Sequence, residues 1–317
     1  MSFATTKAVV KKLFCPLPLV RKLPKLENYD DGNVALSGKC AAACGVTSMG
    51  GLSLSPQGCT LNDGQLGKAM NQMKVAVITP YYKEDVSILQ RCQDSVATQT
   101  HPCTHFLIAD GHPQEAVANW PIHHVTLPTA HGDNGNTPRA VGSLTAINQG
   151  FDALAYLDAD NWYFSNHVET MVALHQSSGA DVCTAGRTIN RLDGSLMYVD
   201  KTENDGERFV DTSCLFLTRK AFKLTPYWAM MPKELSPVCD RIFWHAICAR
   251  PLARAHNAEP TVGFSTQYEC HYRNIGEIPP TGAKKVDETT ALSWKWWRAL
   301  EESERERWKR YFETGNW

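Results

Sequence analysis

The sequence predicts an α/β fold: a Rossmann-like, mostly parallel central sheet with helices on both faces. Three observations predict it. Short apolar runs of strand length recur, helical stripes with apolar residues at spacings of three and four lie between them, and from Lys74 to Leu157 the two kinds alternate. In such folds ligands sit beyond the carboxyl ends of the strands, so the polar residues just after each run are the ones to inspect.

The first run, Val75-Ala-Val-Ile78, ends at Thr79-Pro80. Asp85 then offers an N-cap to a helix whose buried stripe would be Leu89, Cys92 and Val96. A second run, His105 to Ala109, stops at Asp110-Gly111, and a third lies near Ile122 to Leu127. A loop of turn formers, Pro128 to Pro138, leads to a helix begun by Arg139, with Ala140, Leu144, Ile147 and Phe151 as its apolar face. That helix feeds the strand Ala153 to Leu157. Farther on, a helix over 165–177, a strand near Asp181 to Ala185, a hairpin turned by Asp193-Gly194, a strand Cys214 to Thr218 and a helical stretch Asp240 to Ala249 are expected. The tail, 291–317, reads as one amphipathic helix with Trp297, Leu300, Trp308 and Tyr311 on a face that packs on its own domain.

Composition narrows the class. The chain has 317 residues, 43% of them hydrophobic and 21% charged, enough to bury a full core. A formal net charge of −1 argues against a nucleic-acid partner, which would call for a strongly basic face. No stretch reaches the roughly 18–20 apolar residues of a membrane span, so any membrane contact would be peripheral. Eleven cysteines, among them Cys92, Cys183, Cys214 and Cys248 in apolar or helical stretches, suit reduced thiols in a cytoplasmic protein. Cys40, Cys44 and Cys59 lack paired metal-ligand spacing and are read as structurally idle. Residues 1–72, a basic opening followed by small residues around Ala41 to Gly51, read as a poorly ordered extension. Leu13 to Val20 is interrupted by Pro16 and Pro18 and makes a poor signal-peptide core.

The strongest chemical signal is Tyr156-Leu-Asp158-Ala-Asp160-Asn161, two carboxylates two residues apart directly after an apolar strand. Hard divalent cations take such oxygens and keep positions open for substrate phosphates. Thr79, Pro80 and Tyr81, Asp110, and Arg139 fall at the other strand and helix ends, where a turn with an aromatic face, a carboxylate and a forked cation could meet a base, a ribose and a phosphate. For each a plain structural role stays open.

The segment Arg139 to Gln149 with Asp158-Ala-Asp160-Asn161-Trp-Tyr resembles the nucleotide-sugar core of GT-A fold, family-two glycosyltransferases. Val77-Ile-Thr79-Pro80-Tyr81-Tyr82 and Ile108-Ala-Asp110-Gly111 are similar to that family's first two strand ends, and the matches span about 74–245. The resemblance implies an inverting transfer of a sugar from a nucleoside-diphosphate donor, a UDP-sugar first among them, to a glycan, lipid-linked or protein acceptor with Mn²⁺ or Mg²⁺ as cofactor. It implies a GT-A domain over 73–290, with a nucleotide-binding half (73–161) and an acceptor half (162–290). Thr79, Pro80 and Tyr81 would hold base and ribose, Asp110 the base edge, and Arg139 the diphosphate or base. Asp160 would ligate the metal, Asp158 would hold the ribose or help the metal, and His271 would complete the metal shell. Val238-Cys-Asp240-Arg-Ile-Phe-Trp244 is similar to the family's catalytic-base motif, which makes Asp240 the candidate base, although Cys239 stands where many members carry a second acid.

Two other readings stay open. A nucleotidyltransferase also uses a strand-end metal, but its Gly-rich basic loop is not supplied by Thr79 to Glu84. An inactive nucleotide-binding module would be expected to have lost Asp158, Asp160 or Asp240. Acceptor specificity would rest on the loops 186–210 and 225–240.

Overall fold

The computed structural model describes residues 72–312. The expected extension therefore lies outside the described residues except for Gln72, as do Cys40, Cys44, Cys59 and the last five residues of the tail.

Strands β1 (Val75–Tyr81), β2 (Cys103–Ala109), β3 (His123–Thr126) and β4 (Ala153–Tyr156) form a parallel half-sheet in the order β3-β2-β1-β4. Every residue of β1 and β4 is buried, as expected of parallel strands covered on both faces. The sheet continues through β8 (Leu215–Thr218), β6 (Val182–Asn190), β9 (Arg254–Ser265) and β5 (Trp162–Tyr163), with β7 (Leu196–Val199) hairpinned onto β6. β8 runs antiparallel to both β4 and β6, while β9 is parallel to β6. The parallel reading thus holds for the half bearing the acidic motif, and the other half is mixed. β9 is twelve residues long and ends shortly before the Tyr268 to His271 segment.

Helix α1 (Val86–Ala97) follows Asp85, as expected, and buries Leu89, Cys92 and Val96. Helix α2 (Asn136–Asn148) starts three residues before Arg139, and of its anticipated apolar face Ala140, Ile147 and Phe151 meet the core while Leu144 does not. Asn136, Arg139, Ala140, Ser143 and Ala146 point inward, whereas Leu144 is 47% exposed. Small residues let α2 lie close on the sheet: a Cβ at Gly142 would fall 2.5 Å from Ile108.

Helix α3 (His167–Ser178) precedes β6, α4 (Tyr227–Met230) is a single turn, α5 (Cys239–Cys248) carries Asp240, and α6 (Glu269–Asn274) carries His271. The tail is two helices rather than one, α7 (Val286–Ala299) and α8 (Glu302–Phe312), interrupted at Leu300 in extended backbone. As expected, its aromatic face packs on the domain: Trp297 and Phe312 are buried, with Trp296, Leu300, Trp308 and Tyr311 packed beside them. Trp228, stacked on Phe243 at 3.9 Å, joins α4 and α5 to the core. Among the described residues no helix is long and apolar enough to cross a membrane.

Candidate active site

The carboxyl end of β4 meets parts of the chain far apart in sequence. Beyond Tyr156 the chain turns, with Asn161 N–H donating to the Asp158 carbonyl at 3.0 Å. The second half of the domain grips this turn. Ser213 Oγ accepts from Asp158 N–H at 3.1 Å and from Asn161 Nδ2 at 2.9 Å, and Asn161 Oδ1 accepts from Ser265 N–H at 2.9 Å. Buried Asn161 is thus a bracket between halves, a role its place in the motif did not announce.

Asp158 and Asp160 have unlike surroundings. Asp158 Oδ1 accepts from Arg139 Nη2 at 2.8 Å. Arg139 is 2% exposed and lies over the Trp228 ring at 4.7 Å. Its fork faces inward and fixes Asp158. Asp160 is partly open to the cleft, and among the described residues no cation pairs with its carboxylate. Burial, then Asp158, Glu84 and Asp211, push its carboxyl up to about 7. Like charges crowded around a half-desolvated acid disfavour ionisation, and a divalent cation would reverse that balance. On charge and donor type, then, Asp160 with Asp158 beside it fits Mn²⁺ or Mg²⁺.

Among the described residues no three His, Cys, Asp or Glu side chains are grouped around a common ion position. Both ring nitrogens of buried His271 have protein partners, Thr266 Oγ1 at 2.6 Å and Glu203 Oε2 at 3.4 Å. Two carboxylates would leave the remaining positions to water and substrate oxygens, which is how Mg²⁺ in particular is usually held.

The strand-end residues divide differently from the expected pattern. Thr79 is fully buried and bonds His105 Nε2 at 2.9 Å. Tyr81 is 2% exposed, and its hydroxyl is engaged by His124 Nε2 at 2.8 Å and Gln114 N–H at 3.1 Å. Successive strand side chains alternate faces, and the face shared by Thr79 and Tyr81 lies under α1. Pro80 is buried within β1 beside Gly135. Next to Tyr81, Tyr82 is 38% exposed, with the His112 ring perpendicular to it at 4.7 Å and Lys83 over its ring at 4.8 Å.

Asp110 sits at the end of β2 as expected, but its oxygens are occupied. His131 N–H and Nδ1 both lie 2.9 Å from Oδ1, and Gly132 N–H donates to Oδ2 at 2.9 Å. Although burial opposes it, these bonds hold its carboxyl below the usual range. They draw the 129–132 loop onto Gly111, where φ is +77° and a Cβ would be 2.4 Å from Ala130 N, so only glycine suits the position.

Across the cleft, Asp240 lies in the first turn of α5. Burial raises its carboxyl, Arg241 opposes the shift, and Asp158 adds to it. Asp211, 6% exposed, is pushed up to about 6 by burial, partly offset by Arg187, with Asp158 and Asp240 adding to it. The Tyr268 hydroxyl, pushed up to about 12 by burial, feels Asp240, Asp211, Asp160 and Asp158 together. Four carboxylates from three segments thus share one neighbourhood.

Arg187 anchors its far wall, bonding Asp200 at 2.9 Å, Asp211 at 2.9 Å and Glu203 at 3.1 Å. Sequence reasoning missed this buried network because no spacing links its members. A lone arginine inside an apolar strand run was the available hint.

Residues 76–233 match the family model described as glycosyl transferase family 2. Among solved structures, S. aureus TarS 1-349 in complex with UDP is 13% identical, covering 74% of this chain and 78% of that one, with a TM-score of 0.47. TarS 1-349 in complex with UDP-GlcNAc is 15% identical, covering 74% and 69%, with a TM-score of 0.49. No curated protein sequence matches the chain significantly.

Proposed function

Because this chain is a family-2-like glycosyltransferase of the GT-A fold, we propose that it transfers a sugar, with inversion, from a nucleoside-diphosphate donor to an acceptor hydroxyl and depends on a divalent cation. A UDP-sugar is the first donor to try, and a glycan, a lipid-linked sugar or a protein hydroxyl are the acceptor classes. The observation that carries the reading is the placement of Asp240: a raised, partly open carboxylate of the acceptor half lies within electrostatic reach of Asp158 on the strand-end turn of the donor half.

Each residue then has a part. Asp160, with Asp158 beside it, would hold Mn²⁺ or Mg²⁺, and the bound ion would neutralise charge building on the departing diphosphate. Arg139 and Ser213 keep Asp158 in place. Asp240 takes the acceptor's proton as the acceptor oxygen bonds to the anomeric carbon; the bond from that carbon to the diphosphate oxygen breaks, and its electron pair leaves with the diphosphate. A carboxylate whose affinity for protons is raised is the better base for this step, and such groups typically contribute 10²–10⁴-fold.

The test is release of nucleoside diphosphate from a panel of nucleotide sugars with Mn²⁺ and a broad set of acceptors. Sugar-dependent release supports the proposal. Pyrophosphate release from a sugar phosphate and a nucleoside triphosphate would instead favour nucleotidyl transfer, and nucleotide binding without turnover would favour an inactive binding module.

A further inference from the structure

Arg91 lies on α1 and was not among the anticipated site residues. Its Nη2 donates to the Asp160 carbonyl at 2.7 Å, and its guanidinium lies 4.5 Å from the centroid of the Trp162 ring. Trp162 in β5 stands opposite Gly263 in β9. A Cβ at 263 would fall 2.2 Å from the indole, so glycine there lets the ring lie against the strand. The β6–β7 turn also approaches: a Cβ at Gly194 would be 3.7 Å from Arg91 Nη1. The Arg91 Nε is buried with no partner, a penalty the position tolerates.

We infer that Arg91 is a positioning residue for the cation and diphosphate site, clamping the Asp160 peptide so that its carboxylate keeps facing the cleft. The inference rests on the proposed cation role of Asp160. The clamp acts on the backbone of the turn itself, through the bond from Arg91 Nη2 to the Asp160 carbonyl. Asn161 holds the next residue from the acceptor half, and Arg91 holds Asp160 from the donor half. Only a planar fork can donate to a carbonyl while lying on an indole, so lysine is a poor substitute.

The sign of the effect separates clamping from simple charge. If Arg91 mattered only as a positive charge beside an anionic site, its removal would tighten cation binding. As a clamp, its removal loosens it. Mn²⁺ binding by the full chain with UDP, read from the electron paramagnetic resonance signal of free Mn²⁺, is compared for wild type, Arg91→Lys, Arg91→Met and Trp162→Phe.

The expected result is roughly tenfold weaker binding or more in Arg91→Met, within the 10–100-fold range typical of groups that orient metal ligands. Arg91→Lys and Trp162→Phe are expected to lie between it and wild type, all with unfolding midpoints close to wild type. A folded Arg91→Met that binds Mn²⁺ within twofold of wild type, or more tightly, overturns the inference; should that variant not fold, the same outcome in Arg91→Lys does so. Wild-type protein that binds no Mn²⁺ overturns the cation reading and this inference with it, whereas wild-type binding that the variants leave unchanged removes only the role of Arg91.

Discussion

Asp160 is held in an environment that opposes its charge. Its carboxyl is pushed up to about 7 by burial and by Asp158, Glu84 and Asp211, so between about pH 4 and pH 7 the native state keeps a proton that the unfolded chain has released. Stability without metal therefore falls as pH rises through that window. Asp160→Asn should be the more stable protein in EDTA at pH 8, by roughly 1–3 kcal/mol after discounting for partial exposure, with the gap closing toward pH 4. Denaturant melts at the two pH values check it, and a pH-independent difference would show that Asp160 ionises freely. The acidic pair was legible in the sequence because strand-end position and spacing are local properties. The side-chain partners of Thr79 and Tyr81 were not, since both lie at the right end of β1 with their side chains on the face beneath α1. His271 had a sequence context that suggested a ligand, and only the fold shows both its nitrogens engaged.

At the scale of elements, α5 must hold Asp240 rigidly, and the tail helices brace it. Phe312 of α8 is 1% exposed, stacks with Trp308 at 5.8 Å and meets Tyr227 edge-on at 5.5 Å, next to the α4–α5 platform. Phe312→Ala should lower stability by about 3–5 kcal/mol, and turnover should fall with it if the brace serves the site. Equilibrium unfolding checks the first part, and a loss below 1 kcal/mol would mean the tail is only draped on the surface. Gly263→Ala should also destabilise by about 1–3 kcal/mol or more, because its Cβ would enter the Trp162 ring. Calorimetric melting of that variant is the check, with an unchanged midpoint as the contrary result. The first four strands could be read from sequence because each is a short apolar run ended by turn residues. The extent and partner of β9 could not: its sequence, Arg254 to Ser265, is largely polar in its first half, contains Pro260, and joins β6 through register shifts near Gly186. Such a strand is specified by its neighbours, not by its own periodicity. On α2 only Leu144 was misplaced, since close packing there favours small residues such as Gly142 over a larger side chain.

For the whole molecule, acid titration of buried groups acts in both directions. His105 and His167 are pushed down to about 3 by burial, so below about pH 6.5 the unfolded chain takes up protons that the native state refuses, and stability is lost as pH falls. Asp160 and Asp211, raised to about 7 and about 6, oppose this between pH 6 and 4. Wild-type stability should consequently vary little from those groups across that range, whereas His167→Gln should gain on wild type by up to about 1.4 kcal/mol per pH unit as pH falls below 6.5. Parallel pH profiles of the two proteins would refute the assignment. The larger organisation joins two halves at one cleft: a parallel half-sheet supplies Asp158 and Asp160, and a mixed half supplies Ser213, Asp211 and Asp240. The most direct test of that division is one experiment on the Asp160→Asn and Asp240→Asn variants, measuring turnover together with affinity for the Mn²⁺–nucleotide. Asp240→Asn should lose about 10²–10⁴-fold in turnover with affinity retained, and Asp160→Asn should lose the affinity itself. An Asp240→Asn protein that turns over as fast as wild type would contradict the account.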